Sequence, residues 1–179
     1  MYKPKRRRYE DAHHARFLTF SCYQRLAFFS NPAIADVFVS KLDATRVDHG
    51  FRLFGWVVMP EHVHLLIWPR IPESPVRVVL QSLKQAVAQT VLGRWKELDA
   101  PVLTRVHDAY GLHFWQRGGG YDRNIVGGRE FYEKLRYIHQ NPVQRGLVVR
   151  AREYRWSSAR WYAGEREGTI GIDEMQPPA

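Results

Sequence analysis

Residues 62–68 read His-Val-His-Leu-Leu-Ile-Trp, and no other stretch restricts the fold of this chain so tightly. The residues favour a strand, in which successive side chains point to opposite faces. Val63, Leu65 and Ile67 then share a wholly apolar face that must pack on helices, while His62, His64, Leu66 and Trp68 share a mixed one. The two imidazoles project from the same face with Cα atoms roughly 6.5–7 Å apart, a spacing that lets both reach one metal ion. A lone His-x-His also suits two ordinary hairpin residues, so the metal reading needs support from elsewhere in the chain.

The flanking pattern supplies the frame. Arg16–Tyr23, rich in aromatic and branched residues, reads as a first strand. Asn31-Pro32 suits a cap followed by proline at the first helical position. Ile34, Val37, Phe38, Leu42 and Val47 then give a helical stripe that Asp48-His-Gly50 ends. Phe51–Val58 reads as a second strand, joined to the third through a turn at Met59-Pro-Glu61. Ser74-Pro75 opens a second helix by the same device, with Val76, Val79, Leu80, Leu83, Val87 and Val91 on one side. Residues 99–112 read as a loop, His113–Gln116 as a short fourth strand, Gly118–Gly120 as a flexible joint or hinge, and Arg129–Gln140 as a third helix stopped near Pro142. This order predicts an α+β, ferredoxin-like sandwich, an antiparallel sheet with helices on one face. Residues 1–163 are expected to form one domain with a basic arm at 1–12, and 164–179 a loose tail.

Composition narrows the class. The 179 residues suit a single domain. Lys and Arg number 27 against 18 Asp and Glu, a formal charge of +9 that favours encounter with an anionic polymer or surface. Cys22 is the only cysteine, which excludes an intramolecular disulfide and a thiolate zinc cluster. No apolar run approaches the roughly 20 residues of a membrane helix, and the chain reads as cytoplasmic, with no membrane partner.

Support for the histidines comes from the third helix. Tyr137 and Asn141 are four residues apart and stack on nearly one face, while Phe131, Leu135 and Ile138 take another at core spacing. A tyrosine can attack phosphorus, and a metal held by two imidazoles and an amide oxygen would polarise and orient the phosphate. Exchange of one ester for another would keep bond energy for rejoining, which suits strand transfer better than hydrolysis.

At these residues the chain resembles the REP-associated tyrosine transposases, relatives of the single-tyrosine, HUH-type insertion-sequence transposases. The likeness rests on four blocks in order: Met59-Pro-Glu-His-Val-His-Leu-Leu66; Phe114-Trp-Gln-Arg117; Tyr137-Ile-His-Gln-Asn-Pro-Val143 with Gly146-Leu147; and Tyr154-Arg-Trp-Ser-Ser158. The resemblance implies an HUH-type fold acting as a nucleoid-associated enzyme on single-stranded hairpin DNA from repetitive extragenic palindromes. It implies Mg²⁺ or Mn²⁺, a 5′-phosphotyrosine intermediate, and a monomer more readily than a homodimer. By position it makes Tyr137 the nucleophile, His62 and His64 metal ligands and Asn141 the third ligand, with Gln140 an alternative.

For DNA contact the expected residues are Arg6, Arg7 and Arg8 in the arm, Arg117, Arg123, Arg136 and Arg155 around the third helix, and Trp115 as a base platform. A base stacked on such an aromatic contributes about 1–3 kcal/mol. A basic run also suits a solvated tail, and a non-catalytic binder of structured nucleic acid is the alternative function.

Overall fold

The computed structural model describes residues 14–70, 72–118, 120–168 and 170–174. The arm with Arg6, Arg7 and Arg8 lies outside the described residues. Strands β1 (Ala15–Ser21), β2 (Arg52–Met59), β3 (His62–Trp68) and β6 (Tyr121–Ile125) form one sheet in the order β2-β3-β1-β6, every neighbouring pair antiparallel. Between β3 and β6, the two-residue strands β4 (His107–Asp108) and β5 (Gly111–Leu112) make a separate ladder. Helix α1 (Pro32–His49) connects β1 to β2, and α2 (Val76–Glu97) follows β3, which gives the expected ferredoxin-like arrangement.

The cores show why the helices divide. Leu18 and Phe20 of β1, Leu53, Trp56 and Val58 of β2, and Val63, Leu65 and Ile67 of β3 pack beneath α1 and α2. The opposite face carries Phe17, Phe54, Val57, Met59 and Leu66, and there α3 (Gly128–Gln144) lies with Phe131, Leu135 and Ile138 against it. The helices therefore occupy both faces of the sheet, not the single face expected from the element order. Strand β2, with Leu53, Trp56 and Val58 on one side and Phe54, Val57 and Met59 on the other, needs cover on both. A bulge between Leu53 and Gly55 turns Phe54 towards α3. At Gly55 a Cβ would stand 2.7 Å from Leu135 Cδ1, so glycine lets the helix approach closely.

The termini of α1 follow the sequence. Asn31 Oδ1 accepts from the Ala33 amide at 3.0 Å, and Gly50 closes the helix at φ +62°. The other helices depart from expectation. Ser74 does not cap α2: its hydroxyl meets His49 Nδ1 at 3.2 Å, and Pro75 precedes the helix without a side-chain cap. Helix α3 continues through Pro142 to Gln144, because a proline in the last turn forfeits only one hydrogen bond.

The fourth main strand is β6, and residues 113–116 contribute a single bridge, Cys22↔Trp115. Tyr-Asp-Arg-Asn-Ile lacks apolar alternation because it is a sheet edge organised by charge. Arg16 of β1 donates to Asp122 through Nε at 2.9 Å and Nη2 at 2.6 Å, with both side chains almost fully buried.

The other edge, β2, is covered. The Val58 amide donates to Trp156 O and the Ser158 amide to Trp56 O, both at 2.9 Å, and Tyr154 Oη donates to Val58 O at 2.9 Å. Such cover blocks edge-to-edge pairing. The last described residues extend it. The Asp173 amide donates to Leu53 O at 2.9 Å, its carboxylate pairs with Arg46 at 2.8 Å, and Ile170 is buried in the main core. Residues 170–174 are therefore docked, not part of a loose tail, because two isoleucines and a paired carboxylate give them something to bury.

Removing one member of a buried ion pair leaves the other charge short of its partner. Asp122→Ala is expected to lower the unfolding free energy by about 3 kcal/mol or more in urea titration, whereas Arg129→Ala, which breaks an exposed pair with Glu133, should leave the midpoint nearly unchanged.

Candidate active site

Strand β3 turns His62 and His64 towards α3, where they are 6% and 4% exposed. Their Nε2 atoms face each other at 3.0 Å, and each ring is held from behind. His62 Nδ1 meets Glu61 Oε1 at 3.1 Å, and His64 Nδ1 meets Thr19 Oγ1 at 2.7 Å, Thr19 standing opposite His64 in the β1–β3 ladder. Phe17 stacks on His64 with ring centres 5.5 Å apart.

Helix α3 brings the other half. Asn141 is buried, with Nδ2 3.2 Å from His64 Nε2. One turn earlier, the Tyr137 ring stands edge-on to His64 at 5.2 Å and is 41% exposed. The helix thus places an amide in the floor of the site and a phenol at its rim. All four residues expected from the sequence converge.

Burial, reinforced by the charge of His62, pushes His64 down to about 3. Burial also lowers His62, against the opposing pull of Glu61. Both rings are therefore neutral at neutral pH, the form that ligates metals. Burial alone would raise the Glu61 carboxyl, but the Arg145 hydrogen bond and the charges of His62 and Arg145 outweigh it and hold it below its ordinary value.

The donor set fits a divalent cation. A carboxylate on His62 Nδ1 fixes the proton there and turns the Nε2 lone pair inward. With the Nε2 atoms 3.0 Å apart, both lone pairs would be able to reach one ion. Asn141 Oδ1 is buried without a hydrogen-bond partner, and turning the amide over would aim it at the imidazoles. Among the described residues no three His, Cys, Asp or Glu side chains come together to hold a metal, and the Asn141 amide is the polar group that α3 sets beside the two imidazoles.

The residues expected to contact DNA divide. Trp115 is not a base platform: it is 8% exposed, lies in the core against Phe20 and Phe114, and donates Nε1–H to Lys84 O at 2.8 Å. Arg155 pairs with Asp36 on the α1 side of the sheet, away from the histidines. Arg117 lies over Tyr110, beside Asp108. Arg123 pairs with Glu130. Arg136 is exposed next to Tyr137, with no ion pair among the described residues. At Gly120 a Cβ would meet Thr19 O at 2.1 Å, with φ at +66°, so this glycine serves close approach to β1.

Several neighbours of the site are not apparent from the motifs. Thr19 orients His64. Lys134, one turn before Tyr137, places its ammonium 5.1 Å from the Phe17 ring centre and depresses His64. Arg25 and Arg145 both reach Glu61. Lys134 and Arg145 stand seven before and four after Asn141, a helical spacing visible in the sequence. Nothing in the sequence marks Thr19 or Arg25.

A ferredoxin-like sheet bearing paired imidazoles, faced by a tyrosine from a separate helix, defines the transposase class to which the sequence resemblance pointed. The chain belongs to the family described as "Transposase IS200 like", which matches residues 12–141. A solved structure of a REP-associated tyrosine transposase bound to a REP hairpin superposes with a TM-score of 0.68 at 17% identity, over 99% of this chain and 94% of that one. At that identity the likeness concerns the fold. A Deinococcus radiodurans R1 protein described as a candidate transposase gives 0.48 at 19% identity, over 79% of this chain and 97% of the other. No curated protein matches the chain. No described helix is long and apolar enough to cross a membrane.

The lowered imidazoles predict acid sensitivity. Between pH 6.5 and about 3 the unfolded chain protonates His64 while the folded chain keeps it neutral. The unfolded state then binds more protons, so stability falls as pH falls. Urea titrations of the metal-free protein at stepped pH should show this decline, with a shallower slope in His64→Gln.

Proposed function

We propose that this protein cleaves and rejoins single-stranded hairpin DNA of the REP type, as a monomer, with Tyr137 as nucleophile. The observation that carries the reading is that one helix delivers both the exposed Tyr137 ring and the buried Asn141 amide to His64. A pure binding protein has no use for a phenol at the rim of a buried imidazole pair.

In this reading Tyr137 Oη attacks a phosphorus of the strand. Its bond to phosphorus forms as the bond to the 3′ oxygen breaks, the phenolic proton is lost, and the departing oxygen takes up a proton as a 3′-hydroxyl. The products are a 5′-phosphotyrosyl ester and a free 3′ end, and attack by another 3′-hydroxyl reverses the step with a new partner. His62, His64 and Asn141 would hold Mg²⁺ or Mn²⁺, which when bound supplies polarisation and orientation of the scissile phosphate. Two nitrogen donors suit Mn²⁺ better than Mg²⁺. Glu61 and Thr19 keep the imidazoles in the ligating tautomer, and Phe17 fixes the planes of His64 and Tyr137. Arg136 and Lys134, on the same helix, are placed to meet backbone phosphates. The likeness in fold to a transposase that was solved with a REP hairpin bound supports a substrate of this class.

Incubation with labelled hairpin DNA and Mn²⁺ should give a denaturant-resistant protein–DNA adduct. Tyr137→Phe should abolish it, and Tyr132→Phe should retain it. An adduct that survives Tyr137→Phe would reject the assignment, and metal-independent binding without cleavage would favour the non-catalytic alternative.

A further inference from the structure

We infer that Glu61 is the positioning residue that fastens the tyrosine helix to the histidine strand, through Arg145; the inference rests on reading Tyr137 as the nucleophile. Glu61 occupies the two-residue turn between β2 and β3 and is 7% exposed. Its Oε1 receives donors from three separate parts of the fold: His62 Nδ1 at 3.1 Å, Arg145 Nη1 at 2.8 Å and Arg25 Nη2 at 3.2 Å. Arg25 reaches it from a turn after β1 in which Gln24 and Arg25 both hold positive φ, +50° and +55°. That conformation is costly for residues other than glycine and persists only where the surroundings enforce it.

Arg145 caps the C-terminal end of α3, its amide donating to Asn141 O at 3.0 Å. The apolar side chains that seat α3 on the sheet, Phe131, Leu135 and Ile138, all precede Asn141. These contacts, with Leu135 seated over Gly55, hold the body of the helix and leave its last turn to be placed by polar groups. A short charge-assisted bond at the helix end can place it, because its geometry is directional. The bond ends on the carboxylate that also orients His62, so one oxygen refers both halves of the site to each other.

An ordinary ion pair predicts something different. Arg145 is half exposed, and pairs of that kind add little to stability. A misplacement on the order of 1 Å at a reacting centre can cost about a hundredfold in rate. The fastening role therefore predicts a large effect on rate with little effect on stability or DNA affinity.

The test uses the full chain and the hairpin of the adduct assay, with Arg145→Gln, Arg145→Lys, Glu61→Gln and the double variant Glu61→Gln/Arg145→Gln. At saturating hairpin, Arg145→Gln should slow adduct formation by about tenfold or more, with hairpin affinity within about twofold. Arg145→Lys should recover part of the loss, and the double variant should be no slower than the slower single, as for two ends of one link. In the metal-free, DNA-free protein, amide exchange over residues 139–147 should quicken in Arg145→Gln while β3 exchange stays unchanged. A rate within about twofold of wild type, losses that multiply in the double variant, or a defect cured by more hairpin would overturn the inference. If the wild type forms no adduct, the reading of Tyr137 fails instead, and amide exchange alone decides whether Glu61 fastens the helix.

Discussion

Thr19 stands opposite His64, and Ser21 opposite His62, in the ladder between the two central strands. A slip of one residue in β3 would send both histidines into the core beneath α1 and α2, and turn Val63, Leu65 and Ile67 towards α3. Burying two imidazoles among Phe38, Leu42 and Leu83 would cost far more than any local strain could recover. The register is thus enforced by the apolar face, and the polar site inherits its geometry from it. Thr19 meets His64 Nδ1 only because the cores on both faces leave β1 and β3 one way to pair.

This dependence explains what can be read from the chain. Alternation in residues 62–68 gives the strand, its two faces and the direction of the imidazoles, since period-two geometry is local. The spacing of Tyr137 and Asn141 gives their shared helical side for the same reason. Which face of the sheet a helix covers is not local. Phe17, Val57 and Leu66 are apolar whichever side they point to, so the position of α3 across the histidine face emerges only from the fold. The edge strand β6 is hidden in the sequence because Asp122 is held by a buried charge from another strand, which no pattern within five residues reveals. Trp115 reads as a base platform because an aromatic beside arginines looks the same in sequence whether it stacks on a base or on Phe20.

The four blocks that carry the family resemblance do different work. The histidine block and the tyrosine block build the site. Phe114 and Trp115 fill the core against Phe28 and Phe29, while Gln116 accepts the Gln24 amide at 2.9 Å, steadying the turn from which Arg25 projects. Tyr154–Ser158 seals the outer edge of β2. Burial pushes the Tyr154 hydroxyl up to about 12, which suits a fixed hydrogen-bond donor and not a nucleophile. Two blocks therefore hold the sheet that the other two use.

The two halves of the site are held by different forces. The histidines sit on a central strand whose position is set by hydrogen-bonded neighbours on both sides and by cores on both faces. The tyrosine sits on a helix that Phe131, Leu135 and Ile138 seat on the sheet, with Tyr137 and Lys134 against Phe17 and a polar end. Asn141 is buried and Tyr137 exposed, so a single helical turn spans from the floor of the site to the rim that a strand of DNA can reach. Such a helix can present its phenol to a bulky polymer without opening the core, but Phe131, Leu135 and Ile138 all precede its last turn. Directional contacts at its last turn, from Asn141 to His64 and from Arg145 to Glu61, are where the two halves acquire a common reference.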